Sequence, residues 1–170
     1  MEFNMKYSNC STVKFGSTIG FEECLSNFNN LIVKDGCLEK MPFFEDDDVV
    51  LDMDGVEGKI AKAKNRCNNK SMDSLFIASD INGIESVVFV EFRFNYKSMK
   101  NLKAKDLRGK KKYSTENIND LGYTNIHDKY YYVFDPSLKA QARRYFRSLY
   151  PSMPNNFKPI TILDLKDSFF

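Results

Sequence analysis

Charge is costly inside an apolar strand, yet residues 86–96 read SVVFVEFRFNY, with Glu91 and Arg93 two positions apart in a run of valines and phenylalanines. Alternate residues of a strand share a face, so Glu91, Arg93 and Asn95 point one way and Val90, Phe92, Phe94 and Tyr96 the other. The preceding run DSLFIASD (73–80) is joined to it through Ile81-Asn82-Gly83, an Asn-Gly connection of the type I′ kind. Closing the hairpin there sets residues near 73–75 opposite residues near 90–92, so Asp73 meets Glu91 and Arg93 follows on the same face. Two carboxylates converging at a sheet end can hold Mg²⁺ through oxygen ligands. Such a metal activates water and neutralises charge on a phosphodiester, and a neighbouring cation steadies the developing negative charge. The alternative for the same residues is an ion pair within the sheet, with Arg93 bound to a carboxylate and no catalysis.

The elements that must position these residues follow from periodicity. FEECLSNFNNLIV (21–33) carries Phe21, Leu25, Phe28 and Ile32 at helical spacing, with Gly36 as its stop. PFFEDDD (42–48) is an acidic turn, and VVLDMDG (49–55) a strand closing on Asp54-Gly55. Residues 102–121 are mixed in pattern: Leu107, Ser114, Ile118 and Leu121 are helically spaced, while Gly109 and three consecutive lysines interrupt them. KYYYVFD (129–135) is a strand whose Tyr130, Tyr131 and Tyr132 could stack on bases, although alternation puts at least one of them in the core. Asp135-Pro136 opens a helix with Leu138, Ala142, Tyr145, Phe146 and Leu149 on one face, Arg143, Arg144 and Arg147 outside, and Pro151 at its end. PITILDL (159–165) is expected as a last strand. The fold class is α/β (α+β): one domain over 1–170, with a mixed central sheet flanked by helices and its core between about 20 and 150.

The pair D-S-L-F-I and F-V-E-F-R, joined by a hairpin within a helix–three strands–helix–strand order, resembles the PD-(D/E)xK nuclease superfamily. The resemblance implies a restriction-endonuclease-like αβββαβ core, with Asp73 as the family aspartate, Glu91 as the family glutamate and Arg93 in the lysine position. It further implies Mg²⁺ held by Asp73 and Glu91, an assisting acid on the first helix (Glu22 or Glu23), and basic or polar residues from the helix after the third strand (Lys110, Lys111, Ser114). Arginine for lysine departs from the pattern, because a guanidinium is wide, planar and permanently charged. This departure turns the expectation toward a nuclease-fold protein without catalysis or cofactor, one that binds a protein partner as toxin-neutralising immunity proteins do. A Mg²⁺-dependent nuclease acting on DNA or RNA is the alternative. VVLDMDGV also resembles the first motif of haloacid-dehalogenase-like phosphatases, with Asp52 as nucleophile and Asp54 as acid/base.

Composition narrows the field. Among 170 residues there is one histidine, His127, and four cysteines without a C-x-x-C pair, which argues against a zinc site and against Ser-His or Cys-His catalysis. No long apolar stretch and no leader-like start are visible, so a soluble, cytoplasmic protein with no membrane partner is expected. Net charge is +2, but residues 1–92 carry 9 Lys/Arg against 16 Asp/Glu and residues 93–150 carry 14 against 5. The acidic Glu45, Asp46, Asp47 and Asp48 and the basic Lys110, Lys111 and Lys112 are therefore the candidate partner-binding residues. The basic part could also meet nucleic acid.

Overall fold

In the computed structural model, which describes residues 4–37, 42–149 and 153–170, the two apolar runs form the middle of a seven-stranded mixed sheet. The strands are β1 (Lys6–Tyr7), β2 (Leu25–Asn27), β3 (Val49–Asp52), β4 (Ser74–Ser79), β5 (Glu85–Arg93), β6 (Tyr130–Phe134) and β7 (Phe157–Ile160). They are ordered β2-β3-β4-β5-β6-β7, with β1 also paired to β4. The first half is antiparallel, while β5-β6 and β6-β7 are parallel. Helices α1 (Asn9–Thr18), α2 (Phe28–Lys34), α3 (Met53–Ala63), α4 (Ala104–Asp120), α5 (Lys139–Ser148) and α6 (Ile162–Phe169) cover the sheet.

Strand alternation sorts the core into two layers. Leu75, Ile77, Phe89, Tyr132 and Phe134 face Val56 and Ile60 of α3, Leu107 and Ile118 of α4, and Phe146 of α5. Phe76, Val88, Val90, Tyr131 and Val133 face Phe28 and Ile32 of α2 and Ile162 and Leu165 of α6. Central strands buried on both faces read as continuous apolar runs, which is why β4 to β6 stand out in the sequence.

Five expectations change. Residues 21–33 do not form one helix: Glu22–Cys24 make a single 3-10 turn, Leu25–Asn27 pair with β3, and the Asn27 side chain then caps α2. Asp54-Gly55 does not close a hairpin, because Asp52 accepts hydrogen bonds from the backbone N–H of Asp54 and Gly55 and so starts α3. That capping role, together with antiparallel neighbours on both sides of β3, also removes the phosphatase resemblance of VVLDMDGV. The last strand ends at Ile160, since Thr161 and Asp164 form a capping box that opens α6. The hairpin loop is Ile81-Asn82-Gly83 with a positive φ at Gly83 and not at Asn82, a three-residue connection rather than type I′. The expected helix end at Pro151 lies outside the described residues.

Candidate functional site

Asp73 sits one residue before β4, and Ser74 pairs with Val90, so Asp73 and Glu91 stand side by side as the hairpin register requires. The strand ladder ends here, and the Asp73 carboxylate replaces it: Oδ2 accepts a hydrogen bond from the Phe92 N–H at 2.6 Å. Ser114 of α4 accepts one from the Met72 N–H at 2.8 Å, and the Met53 N–H donates to the Asp73 carbonyl at 3.1 Å. Three elements thus hold the aspartate in place. Glu91 is fully buried, directly across from Tyr132 of β6.

The residue that completes the group comes from α4. Lys110 Nζ lies 3.2 Å from Asp73 Oδ1, 2.8 Å from Glu91 Oε1 and 3.0 Å from Glu91 Oε2. Arg93 reaches Glu91 Oε1 at 2.6 Å through one terminal nitrogen, not Asp73. Its other terminal nitrogen donates to the Tyr96 hydroxyl at 3.3 Å, and the guanidinium lies over the Tyr96 ring. Because β5 ends at Arg93, Tyr96 returns to the Arg93 side instead of following Phe94. An open pocket of about 250 Å³ is lined by Asp35, Asp73, Glu91, Arg93, Tyr96 and Lys110 among others.

A helix turns about 100° per residue, so three consecutive lysines take three directions. Lys110 turns inward, Lys111 lies over the Tyr130 ring, and Lys112 is exposed and pairs with Glu116. Lys110 is therefore a site residue and not a member of a surface patch with its neighbours. The sequence did carry a signal for this: Leu107, Lys110, Ser114 and Ile118 fall on one helical stripe. Glu22 and Glu23, expected to assist, do not reach the site. Glu23 pairs with Lys59 at 2.5 Å on the surface, and Glu22 is exposed. Instead Asp35, at the end of α2, and Asp54, in the first turn of α3, bring negative charge to Asp73. Gly36 makes room for this corner: a Cβ there would lie 2.1 Å from Asn95 Oδ1, and its φ is +91°. Asn95 in turn donates to the Asp35 carbonyl.

Glu45, Asp46 and Asp47 are exposed, and Asp48 is half-buried with its carboxylate accepting from the Glu45 N–H. Tyr130, Tyr131 and Tyr132 are all buried, so none is a stacking platform. His127 is tied into the loop before β6 by the Lys129 N–H.

Electrostatics separate the groups. Burial, with Asp73 and Asp54 adding to it, pushes the Asp35 carboxyl up to about 7. Burial also raises Asp54, partly countered by the Ser71 hydroxyl. The Glu91 carboxyl is pushed up to about 8, first by burial and then by Asp73, against the pull of Lys110 and Arg93. Burial alone would lower Lys110, but Glu91 and Asp73 outweigh it and hold the ammonium above its ordinary value. Four carboxyl groups thus crowd two cations.

No protein family matches this chain, and neither do any curated protein or any solved structure.

Among the described residues no three His, Cys, Asp or Glu groups are arranged to enclose a metal ion. Mg²⁺ does not require such a cage: it is commonly held by one or two carboxylates, with water and substrate phosphate completing the octahedron. Asp73 and Glu91 supply the hard oxygen donors, and the surplus of carboxyl groups around the pocket favours a divalent cation. Among the described residues no helix is long and apolar enough to cross a membrane.

Proposed function

We propose that the chain is a Mg²⁺-dependent phosphodiesterase acting on nucleic acid, with Asp73 and Glu91 holding the ion and Lys110 supplying the lysine that position 93 lacks. The observation that carries this reading is the three-point contact of Lys110 with Asp73 and Glu91 at 2.8–3.2 Å in an open pocket. When bound, the metal would supply Lewis-acid activation of water and of the phosphoryl oxygen. Lys110, kept charged by its two carboxylates, donates hydrogen bonds to negative charge as it develops and does not abstract a proton. Arg93, fixed by Glu91 and Tyr96, holds a phosphate oxygen. Asp35, half-buried in the same pocket and raised to about 7, is suited to accept the proton of the attacking water near neutral pH.

The test is cleavage of labelled DNA and RNA by purified protein with Mg²⁺ or Mn²⁺. Activity is expected to disappear in Asp73→Asn and Glu91→Gln, and to fall about 10²–10³-fold in Lys110→Met, the scale for losing one positioned donor. No cutting of either polymer with either metal, together with no heat of Mg²⁺ binding by calorimetry, would overturn the reading.

A second reading has an observation of its own. The carboxylates already lie against the charges of Lys110 and Arg93, and Asp73 accepts from the Phe92 N–H, which also suits a closed ion-pair cluster in a non-catalytic protein. Such a chain would bind a protein partner, such as a toxin, through the exposed Glu45, Asp46 and Asp47 or the exposed Lys112. Under that reading, neutralising the acidic trio abolishes partner binding while Mg²⁺ leaves the melting temperature unchanged.

A further inference from the structure

A second and larger concavity lies away from Asp73 and Glu91, between α5 and the edge strand β7, and has a volume of about 690 Å³. Its floor is apolar and buried: Phe146, Met153 and Phe157. Its rim is cationic, with Arg143 and Arg147 from α5 and Lys158 from β7. Residues 136–163 contain Lys139, Arg143, Arg144, Arg147 and Lys158 and no aspartate or glutamate. Lys139 is neutralised by Asp164 at 2.7 Å. Arg143, Arg147 and Lys158 make no ion pair among the described residues. Elsewhere the lysines and arginines of the fold repeatedly find carboxylates: Lys34 with Asp52, Lys59 with Glu23, Lys64 with Asp120, Arg66 with Glu57. Here a whole segment has none to offer. Three such cations around one groove leave a strong positive potential at a concave surface.

We infer that this groove binds the sugar–phosphate backbone of a single nucleic-acid strand, as an anchoring surface separate from the Asp73–Glu91–Lys110 pocket. Arg143 and Arg147 are four residues apart on α5, so they project on one side with Cβ atoms about 5–6 Å apart. Each guanidinium can take two phosphate oxygens with parallel hydrogen bonds. Concavity selects a single strand, since a duplex is a convex rod that needs an extended basic face. Pro159 has no N–H to give an added strand at the outer edge of β7, which argues against capture of a peptide by sheet extension. The inference deepens the phosphodiesterase reading by assigning where the strand is held, and it rests on that reading only for its purpose, not for the binding itself.

The experiment is fluorescence anisotropy of a labelled oligothymidylate in EDTA, where nothing can be cut, at several salt concentrations. Wild-type protein is expected to bind with a steep salt dependence. Arg143→Glu/Arg147→Glu, exposed positions whose change should leave the fold intact by circular dichroism, is expected to weaken binding at least 10-fold. It should also reduce the log K against log salt slope by about 1.4, roughly 0.7 for each phosphate of a single strand that is no longer neutralised. Lys112→Glu, exposed on α4, is the control and should weaken binding much less. Equal binding by wild type and the double variant overturns the inference, as does binding of oligoglutamate at the groove without binding of oligothymidylate. The two readings fail separately: binding without metal-dependent cutting removes the phosphodiesterase, and cutting that is indifferent to Arg143 and Arg147 removes the groove.

Discussion

Two glutamates, Glu57 and Glu91, are both buried and both touch an arginine, yet they are treated in opposite ways. Glu57 of α3 receives Arg66 at 2.5 Å, the Asn69 N–H at 2.6 Å and the Asn117 side chain at 2.7 Å. Burial would raise its carboxyl, but these three donors outweigh it and hold Glu57 below the usual carboxylate range. Glu91 has two cations at hand and is still pushed up to about 8, because burial is complete and Asp73 stands beside it. The first is a lone acid whose oxygens are fully supplied with donors. The second is an acid forced against another acid. The second keeps a carboxylate in a state that a bound cation would relieve, an arrangement found both at working sites and in structural ion-pair clusters.

The sharpest way to break this comparison is to remove each carboxylate. Glu57→Ala strands Asn117, the Asn69 N–H and a partly buried Arg66, and should cost about 3 kcal/mol in urea unfolding. Glu91→Gln keeps the shape, relieves Asp73 and leaves Lys110 its other carboxylate, so its cost should stay below about 1.5 kcal/mol while cleavage disappears. If Glu91→Gln proves the more destabilising of the two, the pocket is a structural ion-pair cluster and the phosphodiesterase reading loses its support.

The same contrast should appear against pH. Glu57 is depressed in the folded state, so its stabilisation is present above its unfolded value near 4.5 and is lost as pH falls. Glu91 is raised, so the folded chain binds a proton that the unfolded chain has released, and stability falls as pH rises from about 4.5 through 8. On these two groups alone wild type should be most stable near pH 4.5, where both limbs begin. Glu57→Gln should flatten the acid limb of a stability–pH profile and Glu91→Gln the limb toward alkaline pH.

Much of this arrangement is readable from the chain. Period-2 alternation and the turn between Asp80 and Ile84 set the β4-β5 register, and with it the meeting of Asp73 and Glu91. What is not readable depends on tertiary contacts. Leu25 has helical spacing with Phe21 and Phe28, but pairing with Leu51 of β3 makes residues 25–27 a strand. ITILDL has strand-like composition, but the reciprocal capping of Thr161 and Asp164 makes a helix. Lys110, named together with Lys111 and Lys112, is hard to single out from them for another reason. In a run of lysines only helix phase distinguishes the inward one, and Gly109 beside it is a poor helix former that blurs the phase. The absence of lysine at position 93 therefore says little against catalysis, because a helix packed on the sheet can deliver the ammonium to the same carboxylates.

The smallest expected effect concerns Asp35, which separates the pocket from an inert cluster by its own titration. Its carboxyl is raised to about 7, first by burial and then by Asp73 and Asp54. Below pH 7 the folded state holds a proton there, and above it the site carries one more unfavourable charge. Stability therefore declines as pH rises from about 3.8 through 7, and Asp35→Asn should remove that decline: no gain below pH 3.8, and a gain of about 1 kcal/mol at pH 8 once solvent screening of this half-exposed group is allowed for. Adding Mg²⁺ tests the comparison at its root. If the ion settles on Asp73 and Glu91, the charge that Asp35 feels from Asp73 is cancelled, so millimolar Mg²⁺ should shrink the advantage of Asp35→Asn at pH 8. An advantage that is the same with and without Mg²⁺ would mean that Asp73 remains paired with Lys110 alone, and that the two buried glutamates differ only in how tightly they are packed.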